Sequence, residues 1–409
     1  MGLLKYKPLP SDRMGILWTL ATIKNAALIE FGCMGHMLYG RVFLNRAGVL
    51  DSCKLYSTHI DETDIALGGI ERFRRTISEI SERDKPRVIF LTPSAVPEII
   101  GVDLNAVCEE LQPEFPDIKL ISFGYGGFDV TANKAVQETL FKLCSLLSVK
   151  REKTKLPTFN IIGSCADIYK FKEDSAEIKR LLKGAFGMEP LCIMTSDTSV
   201  EDIENMSGAH INIVIREEGE KCAKYMENKC GIPYFLGRPY GIKGTKAWLE
   251  EIAKAAEFSP DENFINKEIQ YAMSKIMPII PYFRHMSKMH PDELVFNAGG
   301  HGDVVGGILS FACNEAFFNK GICWCDSPDM RSDELPYYSE SEWEPALKSF
   351  EKGIFMGSGE ALDIKNHSRS LQIANPDSRW NISAFGEPHM GFRGAVKLIE
   401  TWINEIKLH

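Results

Sequence analysis

The sequence predicts an α/β protein of three Rossmann-like domains, each with a parallel sheet flanked by helices. Three observations along the 409 residues support this prediction. Short apolar runs rich in β-branched and aromatic residues alternate with amphipathic helical patterns. The runs are apolar throughout, as in parallel strands that helices cover on both faces. Two polar breaks divide the chain into blocks of roughly 100–150 residues, which is a usual domain size.

The strand and helix patterns follow one another in a regular order. Each predicted strand is short, and most are followed by Gly, Ser, Pro or Asp and then by a helical pattern. The predicted strands are 87–92, 119–123, 158–162, 191–195, 210–215, 293–297, 321–325 and 353–356. The predicted helices are 64–81, 131–147, 217–228, 245–256 and 394–406.

The two breaks set the predicted domain limits. Residues 149–157 form a charged stretch that ends at Pro157, and residues 258–266 surround a Ser-Pro-Asp-Glu sequence. The predicted domains are therefore 1–150, 151–260 and 261–409, the last with a C-terminal helix. A single doubly wound domain is the alternative. Length disfavours it, because hydrophobic cores stop growing beyond roughly 250–300 residues.

Composition and charge exclude some classes of function. The chain has 47 Lys and Arg against 56 Asp and Glu, a net charge of −9, whereas sequence-independent nucleic-acid binding needs a basic surface. No run approaches the roughly 18 apolar residues of a membrane span. The 11 cysteines come without a secretion signal, so we expect a cytoplasmic protein whose thiols stay reduced. Neither nucleic acid nor a membrane is an expected partner.

The most unusual segment, residues 31–73, contains two cysteines in loop-like sequence. Cys33 follows Gly32 and precedes Gly35, and Cys53 ends an Asp-Ser-Cys turn further along the chain. Glycines beside a cysteine let the backbone approach a bound group, and nearby amides can donate hydrogen bonds to cluster sulfur. The spacing alone favours two ordinary buried thiols over two metal ligands.

A series of motifs in fixed order favours metal ligands over ordinary buried thiols. The segment with Cys33 and Cys53 resembles the N-terminal half of the nitrogenase component 1 family, closest to its β-type and cofactor-scaffold subunits. The resemblance covers nearly the whole chain. Its motifs are Gly32-Cys33, Cys53, Ser57-Thr58 with Glu62, the pair Gly68-Gly69, and residues 91–95 (LTPSA), 98–104 (EIIGVDL), 230–234 (CGIPY), 238–245 (RPYGIKGT) and 388–395 (PHMGFRGA).

The resemblance implies a subunit of a nitrogenase-like oxidoreductase. In that family pattern, Cys33 and Cys53 bind an Fe–S cluster at a subunit interface, either [4Fe–4S] or P-cluster-like. The family's third cluster cysteine falls at Ala95, so two thiolates are expected from this chain. The cofactor-binding cysteine of the catalytic subunit falls at or near Ile215. Any active-site metallocofactor is therefore expected in a partner subunit.

The implied partners are an α-like subunit, in a heterotetramer, or a second copy of this chain in a homodimer with two thiolates from each copy. An ATP-dependent iron protein is the implied electron donor. The sequence contains no Walker A motif, so this chain is not expected to hydrolyse ATP itself. Two alternatives stay open: a scaffold subunit for metallocofactor assembly, and a structural paralogue without a cluster. The sequence does not predict the substrate.

Four further residues are candidates for a functional site. Cys165 lies at a strand-to-helix turn, where ligands bind in open α/β sheets, with core packing as the alternative. His301 follows a strand in a glycine-rich turn of the kind that can bind anions. His36 is close in sequence to Cys33, although a surface position is favoured over ligation. His389 falls in the loop that the resemblance places near a substrate cavity.

Overall fold

The computed structural model describes residues 10–49, 52–67, 69–127, 130–366, 369–374 and 386–407. Its strands are β1 (Ile23–Lys24), β2 (Ala26–Phe31), β3 (Lys54–Ser57), β4 (Val88–Pro93), β5 (Lys119–Ser122), β6 (Thr158–Ser164), β7 (Glu189–Thr195), β8 (Thr198–Ser199), β9 (Ile211–Val214), β10 (Tyr234–Leu236), β11 (Val295–Gly300), β12 (Asn319–Cys325), β13 (Ile354–Ser358) and β14 (Ser370–Ala374).

The helices lie between these strands and on the faces of the sheets. They are α1 (Asp12–Leu20), α2 (Met34–Arg46), α3 (Glu62–Leu67), α4 (Ile70–Arg83), α5 (Ala95–Ile99), α6 (Leu104–Leu111), α7 (Ala132–Leu147), α8 (Phe171–Phe186), α9 (Val200–Asn205), α10 (Glu220–Cys230), α11 (Ile242–Ala256), α12 (Glu262–Ile276), α13 (Ile280–Met289), α14 (Gly302–Glu315), α15 (Glu340–Ser349), α16 (Gly359–Lys365) and α17 (Gly391–Lys407). Short 3-10 helices cover Gln112–Glu114, Met206–Gly208, Glu217–Gly219 and Pro328–Met330.

Three parallel four-stranded sheets share one strand order. The orders are β3-β2-β4-β5, β7-β6-β9-β10 and β12-β11-β13-β14. In each sheet the chain starts on an inner strand, adds a strand on one side, and then crosses to the other side. The first and third strands are therefore neighbours whose connections leave in opposite directions. In open α/β sheets this switch point opens a crevice at the carboxyl ends of the strands, where ligands bind.

The predicted fold class is confirmed, and one of the five predicted helices is wrong. All eight predicted strands are present within a few residues, whereas β2, β3, β10, β14 and the two-residue strands β1 and β8 were not predicted. The predicted helix 64–81 is wrong, because α3 ends at Leu67 and α4 starts after Gly69. A side chain at Gly69 would collide with the ring of Phe31, so the chain passes close to β2 here. Each predicted domain holds one sheet, but the domain limits themselves stay predictions.

The sheets pack as one body around a continuous apolar core. The largest group of contacting buried side chains includes residues from all three sheets. β1 pairs in parallel with β8 and so links the first and second units. The C-terminal helix α17 packs against α8, α11 and α12. In α17, the fully buried Trp402 contacts the rings of Phe296, Phe311 and Phe318. Within the described ranges, no helix is long and apolar enough to cross a bilayer.

Trp402→Ala should destabilise the protein by about 3–5 kcal/mol, because it removes a large buried side chain and leaves a cavity. Urea unfolding followed by far-UV circular dichroism measures the change. Leu156→Ala is the control, since Leu156 is 72% exposed and surface changes are usually within about 0.5 kcal/mol. Equal effects of the two substitutions would contradict the packing described for α17.

Candidate functional site

The first sheet brings Cys33 and Ala95 to the same edge. Cys33 is the N-cap of α2 and Ala95 is the first residue of α5. These helices follow β2 and β4, which are paired neighbours. The amide of Ser94 donates to the carbonyl of Phe31 at 2.9 Å, and a side chain at Gly32 would collide with Ser94. Two of the positions that the resemblance assigns to cluster cysteines thus lie side by side at the switch point.

The loop before Cys33 is fixed by hydrogen bonds, while the thiol itself is exposed. The amide of Gly32 donates to Thr58 Oγ1 at 3.3 Å, and its carbonyl accepts from Ser57 Oγ at 3.0 Å. The Cys33 thiol makes no capping bond to α2 and belongs to a residue exposed to solvent. The Cβ position of Gly35 has no atom within 4 Å. A bound group could therefore approach this helix start from outside.

Exposed apolar side chains follow Cys33 along α2 and lie at the end of α5. The buried side of α2 holds small and aliphatic residues that contact the core, whereas its other side exposes large apolar side chains. The end of α5 and the residue after it add two more. Contiguous exposed apolar patches often mark protein–protein contacts. We call this set of exposed side chains the Cys33 surface, and its members are Met34, Leu38, Tyr39, Val42, Ile99 and Ile100.

Cys53 lies at the opposite end of the sheet. Its neighbour Lys54 pairs with Ala27 near the start of β2, and the Cys53 amide donates to the carbonyl of Ala21 at 3.1 Å. Between the two cysteines runs α2, whose 13 residues span about 20 Å. Cys53 is buried, and burial raises the pKa of its thiol. The structure therefore does not bring Cys33 and Cys53 together at one site.

The predicted turn at Cys53 and the predicted glycine pair are only partly described. Asp51 of the turn and Gly68 of the pair lie outside the described residues. Cys53 and Gly69 are described, so the separation of the two thiols does not depend on the positions of Asp51 or Gly68.

A second polar centre joins all three units through the carboxylate of Glu218. Arg216, which follows β9, donates to both Glu218 oxygens at 3.0 and 2.8 Å. The ring of His301, which follows β11, lies 3.0 Å from Glu218 through Nε2. Asn133 of α7 donates to the same carboxylate at 2.6 Å. Arg216 also donates to Asp167 at 2.8 Å. One buried carboxylate thus contacts residues of the first, second and third units.

The protonation states in this centre follow from its ion pairs. Burial alone would raise the pKa of Glu218, but Arg216 and His301 outweigh it and hold the pKa well below its usual range. Burial would lower the pKa of His301, but the Glu218 carboxylate outweighs it and raises that pKa. Glu218, His301 and Asp303 also place three possible metal ligands within 4.8 Å. The Arg216 guanidinium already forms an ion pair with the Glu218 carboxylate. A metal ion at this carboxylate would have to displace Arg216.

His389 lies in a different contact, where its side chain is half-buried and held neutral. Burial lowers the pKa of His389 to about 3, and nearby Lys170 and Arg238 act in the same direction. Its ring is 6.0 Å from that of Tyr169. The amides of His389 and the next residue donate to Asp174 at 2.8 and 3.0 Å. Burial raises the pKa of Asp174 to about 6, although Arg238 opposes this. These contacts fix the start of α17.

The remaining predicted candidates are placed as follows. Cys165 follows β6 at the second switch point and is fully buried, with its sulfur 3.8 Å from Thr195 Oγ1. Burial raises the pKa of the Cys165 thiol to about 12. His36 lies in the first turn of α2, and its amide donates to the carbonyl of Cys33 at 3.2 Å. His36 therefore shares the helix start with Cys33, and the expectation that it has a surface role rather than a ligating one stays a prediction.

Sequence reasoning missed the charged residues of the second centre. Arg216, Glu218, Asp167 and Asp326 were not singled out, because a sequence such as REEGE is typical of an exposed helix start. The available signal was position, since each of these residues comes shortly after the carboxyl end of a strand. A residue's place after a strand shows that it lies at the carboxyl edge of a sheet. It does not show which sheets bring their carboxyl edges together in the fold.

Comparisons with known proteins agree with this architecture. Residues 11–287 match the family of nitrogenase component 1 type oxidoreductases. The chain is 30% identical over 240 residues to the nitrogenase iron-molybdenum cofactor biosynthesis protein NifE of Clostridium pasteurianum, covering 57% of this chain and 50% of that protein. It is 25% identical over 357 residues to a subunit of the light-independent protochlorophyllide reductase of Jannaschia sp. (strain CCS1), covering 82% of this chain and 64% of that protein. The chain thus spans between half and two thirds of the length of these relatives.

A solved structure shares the fold. The structure of nitrogenase Cp1 at pH 6.5 superposes with a TM-score of 0.78 at 15% identity, covering 99% of this chain and 95% of the other. At this level of identity the similarity concerns the fold alone.

Cys33 should be alkylated by iodoacetamide in the native protein well before Cys53. Cys33 is exposed, whereas Cys53 is buried and burial raises the pKa of its thiol, and the thiolate is the reactive form. Peptide mass spectrometry after timed quenching measures the two rates. Urea-unfolded protein, in which both cysteines should react, is the control. Comparable native rates would contradict the placement of Cys53.

His389→Gln should make stability less dependent on pH in the acid range. The pKa of His389 is about 3 when folded against an ordinary value of 6.5. As pH falls from about 6.5 towards 3, the unfolded chain binds a proton that the folded chain does not, so wild-type stability falls. Asp174 acts in the opposite sense in both proteins, because its pKa is raised. Urea unfolding at pH 7.5 and 5 measures the difference, and parallel losses in the two proteins would contradict the assignment.

Proposed function

Because the chain belongs to the nitrogenase component 1 type oxidoreductase family, we propose that it is a subunit of a nitrogenase-like iron–sulfur oxidoreductase. In this proposal an ATP-dependent iron protein delivers electrons to an Fe–S cluster at a subunit interface, from which they pass to a substrate site. The supporting observation is an exposed thiol, Cys33, at a switch point within an apolar surface. We further propose a cytoplasmic location, as expected from the composition.

The residues at this edge can supply one of the ligands of an Fe–S cluster. A [4Fe–4S] cluster usually takes four cysteine thiolates, and Cys33 is the thiol that the described residues offer here. Ala95 stands beside it, and Cys53 is at the far end of the sheet. The two thiolates per chain that the sequence predicted at one cluster therefore do not fit this geometry. An α-like partner with three cysteines would complete a set of four more readily than a second copy of this chain.

The chain itself would position and shield such a cluster. The amides of Met34 and Gly35 precede the first intrahelical hydrogen bond of α2, and amide donors near sulfur tune cluster potentials. The open space at Gly35 allows close approach. When a partner docks, the Cys33 surface would exclude water from the shared site. A bound cluster would supply one-electron transfer.

A second candidate function is a scaffold for metallocofactor assembly. It is favoured by the similarity to NifE, which is a cofactor biosynthesis protein. A scaffold would hold and release a cluster precursor without reducing a substrate. Turnover with an iron protein, ATP and an α-like partner distinguishes the two functions, because only the reductase consumes electrons in proportion to product.

Cys33→Ala should lower the iron content of the complex by up to one cluster, while Cys53→Ala should leave it unchanged. The reason is that, of these two thiols, only that of Cys33 is exposed at the proposed interface. The measurement is iron and acid-labile sulfide per chain after anaerobic purification with the partner subunit. Ala95→Cys provides a gain-of-function variant, since a second thiol beside Cys33 should increase iron retained by the isolated chain.

Two results would contradict the proposal. One is an iron-free wild-type complex, which would favour the structural paralogue without a cluster. The other is loss of iron in Cys53→Ala with normal iron in Cys33→Ala, provided that circular dichroism shows both variants folded. Cys108→Ser serves as the matched control, because Cys108 packs in the core on the opposite face of the sheet from α2.

A further inference from the structure

A partly enclosed cavity with both apolar and charged walls lies where the three units meet. Its volume is about 160 Å³, and its walls come from α1 and α7 of the first unit, the loop after β6, and the loops after β11 and β12. An antiparallel bridge between Ile168 and Ala374 joins the second and third units at its side. A cavity of about 150 Å³ can hold a molecule the size of benzene. This site is distinct from the Cys33 surface, which belongs to the first switch point.

Two buried polar atoms in the cavity walls lack partners. Nε2 of His301 faces Glu218 at 3.0 Å, while the other ring nitrogen, Nδ1, is buried and unpartnered within the described chain. Oδ1 of Asp326 is also buried without a partner among the described residues. Both residues line the cavity. Unpaired buried donors and acceptors carry a full desolvation cost, and a ligand that bonds to both would remove it.

The charge of the site favours a cation. Among the described residues that line or back the cavity, Asp167, Asp326 and Glu218 are carboxylates, opposed by Arg216 and, while its ring is protonated, by His301. The charge of Arg216 is already shared between its ion pairs with Asp167 and Glu218. Burial raises the pKa of Asp326, as expected for a carboxylate whose charge is poorly compensated. A positive ligand would supply the missing compensation.

Aromatic side chains add a second feature that suits an organic cation. Trp18, Tyr169 and Tyr337 form part of the lining. Cations with delocalised charge are attracted to aromatic faces, most strongly to Trp. A bare divalent metal ion is a poorer fit, because His301 and Asp326 do not converge with a third donor among the described residues.

We infer that this cavity binds a small organic cation with N–H donors, of guanidinium or imidazolium type, bounded by the aromatic residues and held by Asp326 and by Nδ1 of His301. His301 accepts such a bond as the neutral ring with its proton on Nε2 toward Glu218, so binding displaces the second ring proton. Glu218 acts here as a positioning residue, because it fixes His301 through Nε2 while Arg216 and Asn133 hold Glu218 in turn. The inference concerns this chain's own residues and does not depend on a cluster at Cys33.

The test is binding of methylguanidinium to the purified full chain by saturation-transfer NMR and calorimetry. Methylurea, a neutral molecule of nearly the same shape, is the matched ligand control. Methylguanidinium should bind, and methylurea should bind at least about tenfold more weakly, since a charge-assisted bond is lost. Asp326→Asn should weaken methylguanidinium binding by a similar factor and leave thermal unfolding intact. Asp329→Asn, at an exposed position nearby, should leave binding unchanged.

Three outcomes would overturn the inference. The first is equal binding of methylguanidinium and methylurea. The second is undiminished binding to Asp326→Asn. The third is absence of methylguanidinium binding together with tight binding of Mn²⁺, detected by its electron paramagnetic resonance signal, which would make the cavity a metal site.

Discussion

The carboxylate of Glu218 is the interaction on which the arrangement of the three units depends. It is buried and is contacted by Arg216, His301 and Asn133, one from each unit. Breaking one partner of a buried ion pair typically costs about 3–5 kcal/mol, because the remaining charge stays uncompensated. The three sheets therefore cannot shift independently at this point without exposing or orphaning a charge. The continuous apolar core stabilises the packing of the three units, whereas the Glu218 carboxylate fixes how they are positioned relative to one another.

The repeated strand order explains which residues can act together. In all three sheets the first and third strands are neighbours, so residues after them meet at the carboxyl edge. Cys33 and Ala95 meet in this way in the first sheet. Cys53 precedes a strand and is therefore at the amino edge. Short separation in sequence does not imply proximity here, because the chain from Cys33 returns along α2 to the amino edge before it reaches Cys53.

The fold was predictable from sequence to a larger extent than the site. Apolar runs such as 158–162 have the length and composition of buried parallel strands, and β6 is found there. β2 was missed because it follows the apolar helix α1 almost directly and contains Glu30, whose burial depends on an ion pair with Arg13 at 2.5 Å. The Glu218 centre could not be predicted, since its charges become buried only when three separate sheet edges meet. Sequence patterns report local burial but not this convergence.

The Cys33 surface is open to solvent, whereas the Glu218 centre is buried. This difference limits the chemistry that each site can perform. The edge of the first sheet carries an exposed thiol on an apolar surface, which suits a group shared with another chain. The junction of the three units is interior, and the described lining of its cavity contains no thiol. Asp167 and Glu218 already form ion pairs with Arg216, which a large metallocofactor would have to displace at considerable cost. We therefore assign the proposed redox chemistry to the first edge, and the interior to recognition of a small organic cation.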